Sequence, residues 1–473
     1  MHRVSAFLGL TLRSPKTETL PGAHTYRQLP VIQTNTIDLN GNPGWTMEYF
    51  EHGQSGRPTK TVHGYSKAEL GVLQDDLARW KDITLSATLV PEESGAHYLS
   101  CSGMGKTTVS INDEIIFKQE GDVKDPMGFM LGGVPEKEFT FAFSKGESYS
   151  IKIQSSPQTG KDETGGVLEG RPGFRLGFMY RDEHDRDLLS EAVDLARSTD
   201  MVIVFTGHTP VWETEGQDQV SFDLPANGSL NKLVDAVATA NDRTVVVNST
   251  GVAIAMPWLS KVSAVLQAWF PGQEAGNAIA DVLSGAVNPS GRLPVSFPKR
   301  IEDAPANGNF PGTKTDGQLT VHYQEGVFVG YRHYDRFPKT ILFPFGFGLS
   351  YTTFKLADGQ VSECSDGSFK AEVRVSNTGR LNGATVVQLY VGKNRKSPDH
   401  PVKVLAAFQK VFLQPQETQT VELYVAPSDF SYFDETSGSW RVDDGTYDFS
   451  FGQSSADIES IVSVRIETRE MKV

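Results

Sequence analysis

The chain has 473 residues, 38% hydrophobic and 22% charged, a balance that fits a globular protein of several domains and excludes a fibrous or disordered one. Lys plus Arg number 44 against 58 for Asp plus Glu, and the net charge of -14 argues against nucleic-acid and anionic-membrane partners. The two cysteines, Cys101 and Cys364, make neither a disulfide framework nor a zinc site, and no apolar run reaches the roughly 18 residues of a membrane span.

Residues 1–40 read as an irregular, Thr- and Pro-rich segment. Their start has a short apolar patch that matches a signal peptide weakly, and it reads as the middle of a chain rather than its beginning. From Gly44 the pattern is all-β. Trp45–Phe50 and Ile83–Val90 alternate, as does His97–Gly103, and Asn112-Asp113 between two β-rich runs is a hairpin signal. Glu138–Phe143, Tyr149–Gln154 and Phe174–Tyr180 continue the meander. This spacing predicts a β-sandwich over 41–181, with no helix between 60 and 160.

At Arg186 the period becomes helical. Leu188, Leu189, Ala192, Val193 and Ala196 mark one face of a helix. Met201–Phe205 has the length and β-branching of a buried parallel strand. Leu230, Leu233, Val234, Val237 and Ala238 mark a second helix, Thr244–Asn248 a second strand, and Val262–Phe270 a third strand region. Gly276–Leu283 is a further helix. Strands alternating with helices make βαβ units, hence a parallel sheet with helices on both faces over 182–350. From 351 the pattern is all-β again: Phe369–Val375, Thr385–Val391, Val404–Val411, Thr420–Val425, Trp440–Val442, Asp444–Phe451 and Ile461–Ile466, with Asn377-Thr-Gly as a turn. Seven short strands predict an immunoglobulin-like sandwich. The expected fold is thus multidomain α/β plus all-β.

The chemistry concentrates in Val202–Pro225, VIVFTGHTPVWETEGQDQVSFDLP. Gly207 and Pro210 end the strand. Trp212 then precedes Glu213, Glu215 and Asp218. Loops past the C-terminal end of parallel strands are where open α/β sheets bind ligands. An aromatic platform beside a partly desolvated carboxyl suits glycoside chemistry. The same spacing also fits an acidic surface loop after a core strand. His208 is a loop hydrogen-bonder or a ligand. His184, His322 and His333 are scattered and show no metal-site spacing. Asn227-Gly-Ser and Asn248-Ser-Thr are glycosylation sequons, the second at the end of a buried strand.

Several separated motifs carry a family resemblance. They are Trp212-Glu-Thr-Glu-Gly-Gln-Asp, Met256-Pro-Trp, Gln267–Gly285 (QAWFPGQEAGNAIADVLSG), Asn288–Pro298 (NPSGRLPVSFP), Gly330–Asp335 (GYRHYD) and Phe343–Phe354 (FPFGFGLSYTTF). Together they resemble the C-terminal part of glycoside hydrolase family 3, the β-glucosidase type. Residues 41–181 resemble the protective-antigen-type sandwich found in one subgroup, and 351–473 the fibronectin type III-like domain that ends many members.

The resemblance implies a retaining β-glucosidase that removes terminal β-D-glucosyl residues in polysaccharide and cellulose breakdown. Its substrates would be β-glucosides or oligosaccharides, and it needs no cofactor and no metal. The family's nucleophile is an Asp on an N-terminal (β/α)8 barrel, and nothing before Gly44 can form one. The expectation is therefore a chain that supplies the acid/base half and lacks the barrel. The family pattern puts the acid/base on Glu215, with Glu213 as runner-up on the same side if the loop is extended. Asp218 is assigned to ordering the loop or to substrate, and Trp212 to packing or to sugar stacking. Many relatives carry Arg where this chain has Gln219. The alternative reading is a catalytically inactive carbohydrate-binding or interaction fragment. An oligomer is compatible with the sequence. Secretion is the family's habit, though this chain shows no convincing leader.

Overall fold

The computed structural model describes residues 17–33, 35–51, 56–71, 77–160, 168–215, 218–337, 341–394 and 399–472. The chain forms two compact units. One comprises Leu20–Ser249 with Trp258–Gln267, and the other includes Thr250–Pro257 and Ala268–Val473.

The first unit opens with a two-sheet sandwich. A seven-stranded sheet runs in the order Lys60–Tyr65, Trp45–Glu51, Trp80–Leu89, Tyr149–Ser155, Thr107–Ile111, Glu114–Gln119, with Thr36–Ile37 also paired to Trp80–Leu89. A four-stranded sheet runs Glu69–Leu70, Phe174–Met179, Gly95–Gly103, Lys137–Phe143. Alternation decides which residues face inward. Trp45, Met47, Leu85, Ile151, Leu99 and Phe174 are all buried in one core. At the hairpin Asn112 and Asp113 both take positive φ, 49° and 65°, the handedness that matches strand twist.

The described residues before Gly44 have little regular structure yet pack against the sandwich: Leu29 and Ile32 are buried, and Val31 bridges Gly177 on the strand Phe174–Met179. One feature departs from the sequence reading. A single helical turn, Pro126–Met130, interrupts the β pattern. Asp125 caps it by accepting from the Gly128 N–H at 2.7 Å, and Pro126 suits its first turn.

The same unit continues with a three-stranded parallel sheet, in the order Val202–Gly207, Thr244–Ser249, Ala264–Gln267. Its central strand buries Val246 and Val247 completely. Among the described residues Val202–Gly207 is an edge strand, so the expected burial holds only in part: Phe205 is 42% exposed. The helix Leu188–Ser198 starts at Asp187, whose carboxylate accepts from the Ser190 N–H at 3.1 Å. The helix Ser229–Ala240 buries Leu230, Leu233, Val234, Val237 and Ala238, the five residues its period picks out. The Asn241 amide ties the two helices, donating to the carbonyls of Ala196 at 2.9 Å and Thr199 at 2.7 Å.

The second unit ends in a sandwich of a three-stranded sheet (Phe354–Glu363, Phe369–Asn377, Thr418–Val425) and a four-stranded one (Val404–Leu413, Gly383–Lys393, Gly445–Gly452, Ile458–Ile466). Phe369, Val373, Leu389, Leu423, Phe449 and Phe451 form its core. Within this unit the motifs of the 288–351 region act as fasteners. The Asn288 carboxamide donates to the Asn382 carbonyl at 2.8 Å and accepts from Ser350 Oγ at 2.8 Å and Tyr351 N–H at 2.9 Å. Arg292 donates to Thr385 Oγ1 at 2.7 Å. On the helix Tyr331–Arg336, Tyr331 accepts from the Leu405 N–H at 2.8 Å, and Asp335 pairs with Lys403 at 2.7 Å. Burial pushes the Asp335 carboxyl above its usual range, and the Lys403 ammonium pulls it back.

Asn377, read from sequence as a turn residue, is 1% exposed. Its amide donates to the carbonyls of Leu381 at 2.8 Å and Leu413 at 3.1 Å, and its oxygen accepts from Thr352 Oγ1 at 2.7 Å. Asn377→Ala strands these buried groups. It is expected to cost about 2–4 kcal/mol, since each orphaned buried partner costs about 1–3 kcal/mol. Urea denaturation followed by far-ultraviolet circular dichroism measures the loss, and a change below about 1 kcal/mol would show that water replaces the carboxamide.

Candidate functional site

The loop of interest begins where the parallel sheet ends. Gly207 pairs with Ser249 in register and sits at φ 151°. A Cβ at position 207 would lie 2.2 Å from the Ser249 carbonyl oxygen, so only glycine lets the two backbones approach this closely. The next residue, His208, donates its N–H to that same carbonyl at 2.9 Å. The loop is thereby rooted on the central strand.

The chain then turns instead of extending. The N–H groups of Trp212 and Glu213 both donate to the Thr209 carbonyl, at 2.8 and 3.0 Å. Glu213 folds back so that its Oε2 lies 2.6 Å from His208 Nδ1, and its side chain is 18% exposed against 3% for His208. The two carboxylates differ in surroundings, Glu213 held against His208 and Glu215 exposed.

Trp212 is half-buried and packs. Its indole N–H donates to the Thr25 carbonyl at 2.8 Å, and the Arg27 guanidinium lies 5.5 Å from the ring centroid. Arg27 also donates to the Val211 carbonyl at 3.2 Å. Asp218 is exposed. It lines a cleft of about 640 Å³ with Arg27, Asp125, His208, Trp212 and Asp223. Gln219 places its amide 3.3 Å from His208 Nδ1. The five acidic groups at or near this loop, Asp125, Glu213, Glu215, Asp218 and Asp223, with one arginine, make a site suited to hydroxyl-rich neutral ligands and to proton transfer. Gly216 and Gln217, which belong to the motif, lie outside the described residues.

Of the residues the sequence singled out, Trp212, Asp218 and His208 line the cleft, while Glu213 is paired with His208 and Glu215 is exposed; His208, read as a hydrogen-bonder or a ligand, makes a hydrogen bond within the loop. Sequence reasoning missed Arg27 and Asp125. Neither carries a local signal, because each reaches the cleft from a segment distant in sequence. Among the described residues no group of three His, Cys, Asp or Glu side chains is placed to hold a metal ion, and no helix is long and apolar enough to cross a membrane.

The C-terminal domain of glycosyl hydrolase family 3 matches residues 102–351, and a fibronectin type III-like domain matches residues 385–455. A match over more than half of the chain, joined to this parallel sheet and its acidic loop, defines the class: the chain belongs to glycosyl hydrolase family 3. Among curated relatives it is 50% identical over 466 residues to β-glucosidase B of Emericella nidulans, an alignment covering 96% of this chain and 55% of that protein. Among solved structures it resembles the β-glucosidase of Kluyveromyces marxianus in complex with glucose, with a TM-score of 0.84 and 32% identity over 100% of this chain and 57% of that one. It also resembles DesR, a β-glucosidase from Streptomyces venezuelae in complex with D-glucose, with a TM-score of 0.65 and 28% identity over 98% of this chain and 53% of that one. The chain thus spans about half the length of the relatives it matches.

Proposed function

We propose that this chain is the acid/base-bearing half of a retaining β-glucosidase that releases terminal β-D-glucosyl units from oligosaccharides of plant-type polysaccharide, cellulose included. The observation that carries the reading is the exposed Glu215 in a Trp-Glu-Thr-Glu loop past the C-terminal end of a parallel strand, a loop whose Trp212 and Asp218 line a cleft. The kinship with β-glucosidase B supports it. Glu215 protonates the departing glycosidic oxygen and then takes a proton from water. The nucleophile is a carboxylate about 5–5.5 Å away on a separate barrel. Trp212 and Asp218 border the substrate. We place the domain boundaries near residues 40, 181 and 350.

The 473 residues by themselves are expected not to turn over an aryl β-glucoside, because one carboxyl group does half of a two-carboxyl reaction. Burst and steady-state assays on the purified chain test this. Turnover that survives Glu215→Gln would refute the mechanism. Tight binding of cellobiose without turnover, once the barrel half of β-glucosidase B is joined upstream, would favour a carbohydrate-binding fragment instead.

A further inference from the structure

The stretch from Ile301 to Gly330 has a definite shape and no core. Among the described residues Thr313–Thr315 and Gln318–Thr320 pair with each other alone, in the register Thr313↔Thr320 and Thr315↔Gln318. Asp316 and Gly317 close this hairpin at φ 52° and 81°, the left-handed pair that a two-residue turn between twisted strands needs. Across its base the Asn309 amide donates to the Glu325 carboxylate at 2.7 Å. Yet none of the residues 301–330 is buried. A lone two-stranded hairpin is marginal in water, and ordering each residue costs backbone entropy that burial has to offset.

What this arm exposes is apolar. Tyr323 is 83% exposed, Phe310 57% and Leu319 56%, and Val321, Val327 and Val329 are exposed with them. Charge is sparse beside them. From Ala304 to Gln324 the charged residues are Lys314 and Asp316, opposite in sign and both at the end of the hairpin. Aromatic and aliphatic side chains with few charges among them are the make-up of an interface core.

We propose that residues 301–330 form a docking arm whose occupant is the nucleophile-bearing half of the enzyme. The inference rests on the reading of this chain as one half of a two-part β-glucosidase and adds the surface by which the halves hold each other. The chain spans 55% of β-glucosidase B and 57% of the Kluyveromyces marxianus enzyme, so in each relative nearly as much protein again is available to cover the arm. Two carboxyl groups about 5–5.5 Å apart, one from each half, need a joint that does not shift. A second copy of the chain would cover the arm without fixing that distance.

Hydrogen exchange tests this without any substrate, in the 473-residue chain and in the same chain joined downstream of the N-terminal half of β-glucosidase B. In the 473-residue chain the amides of residues 313–320 should exchange nearly as fast as in an unfolded peptide, while those of Phe369–Asn377, within the terminal sandwich, are protected. In the joined protein the arm should exchange at least about tenfold more slowly. Leu319→Asp and Tyr323→Asp alter exposed side chains, so the melting temperature of the 473-residue chain should not move, and in the joined protein the arm should return toward the fast rate. Ile461→Asp, an apolar site 60% exposed on the terminal sandwich, is the control and should leave the arm slow. Arm protection in the 473-residue chain that grows with concentration, alongside a doubled mass in sedimentation, would assign the surface to a second copy and overturn the proposal. So would protection in the monomeric chain, a result that stands even if the joined protein fails to fold. So would an arm that still exchanges fast in a joined protein protected elsewhere. Failure of the acid/base assignment would leave all these rates unchanged and appear in the substrate series with Glu215 variants.

Discussion

Glu215→Ala, in the chain joined to the N-terminal half of β-glucosidase B, is expected to slow hydrolysis of alkyl β-glucosides by about 100- to 10,000-fold, the usual share of general acid catalysis. Those substrates need a proton delivered to a poor leaving group. A dinitrophenyl β-glucoside departs without one, so its first step should be slowed far less. Its second step still lacks a base for water. Added azide attacks the glycosyl-enzyme directly and should restore that step, giving a glucosyl azide. Glu213→Ala should show neither signature. Its carboxylate is committed to His208, so its loss loosens the loop and lowers rates for both leaving groups alike. Turnover of both substrates by both variants, with and without azide, settles the assignment. Azide rescue in Glu213→Ala alone moves the acid two residues upstream. Rescue in neither variant places it outside this loop.

Arg175→Met is expected to destabilise the first sandwich by about 3–5 kcal/mol, the cost of leaving a buried charge without its partner. Arg175 meets Glu136 at 2.7 Å and donates to the Leu29 carbonyl at 2.5 Å; their side chains are 15% and 2% exposed. Ser100 and Ser102 also donate to the Glu136 carboxylate, Ser102 at 3.0 Å. With Arg175 gone, two hydroxyls remain to solvate a full negative charge that water barely reaches. Replacing both members, Arg175→Met with Glu136→Leu, should cost much less than the sum of the single changes, because no charge is then left buried. Urea titrations of the four proteins give the coupling. A single-mutant loss under about 1 kcal/mol would show that the pair behaves as an exposed one.

Much of the fold was legible where one physical rule acts alone. The face Leu230, Leu233, Val234, Val237, Ala238 is buried as its period requires, and Asn112-Asp113 turns as its tolerance of positive φ allows. Strands without a clean rule stayed hidden. Lys60–Tyr65 has no fully buried residue, so its sequence shows no alternation. Phe354–Glu363 carries a register shift between Ala357 and Gln360, with Asp358 at φ 55°, and the shift scrambles the period that would have marked it. The motif loop was readable because its carboxylates and tryptophan are adjacent in sequence. The pairing of Glu213 with His208, while Glu215 is exposed, was not. It depends on a backbone turn at Thr209 that no side chain announces.

The two sequons lie on opposite sides of a threshold. Asn227 is exposed, whereas Asn248 is 0% exposed and its carboxamide accepts from Thr206 Oγ1 at 3.1 Å and donates to Gln267 at 2.7 Å. Once the parallel sheet has formed, a glycosyl transferase reaches the first and not the second. In a secretory host, sugar on Asn248 would therefore mark molecules modified before this strand was covered, and such molecules could no longer close the sheet around a glycan. The ratio of occupancy at the two asparagines is a record, written covalently into each molecule, of whether folding or modification came first.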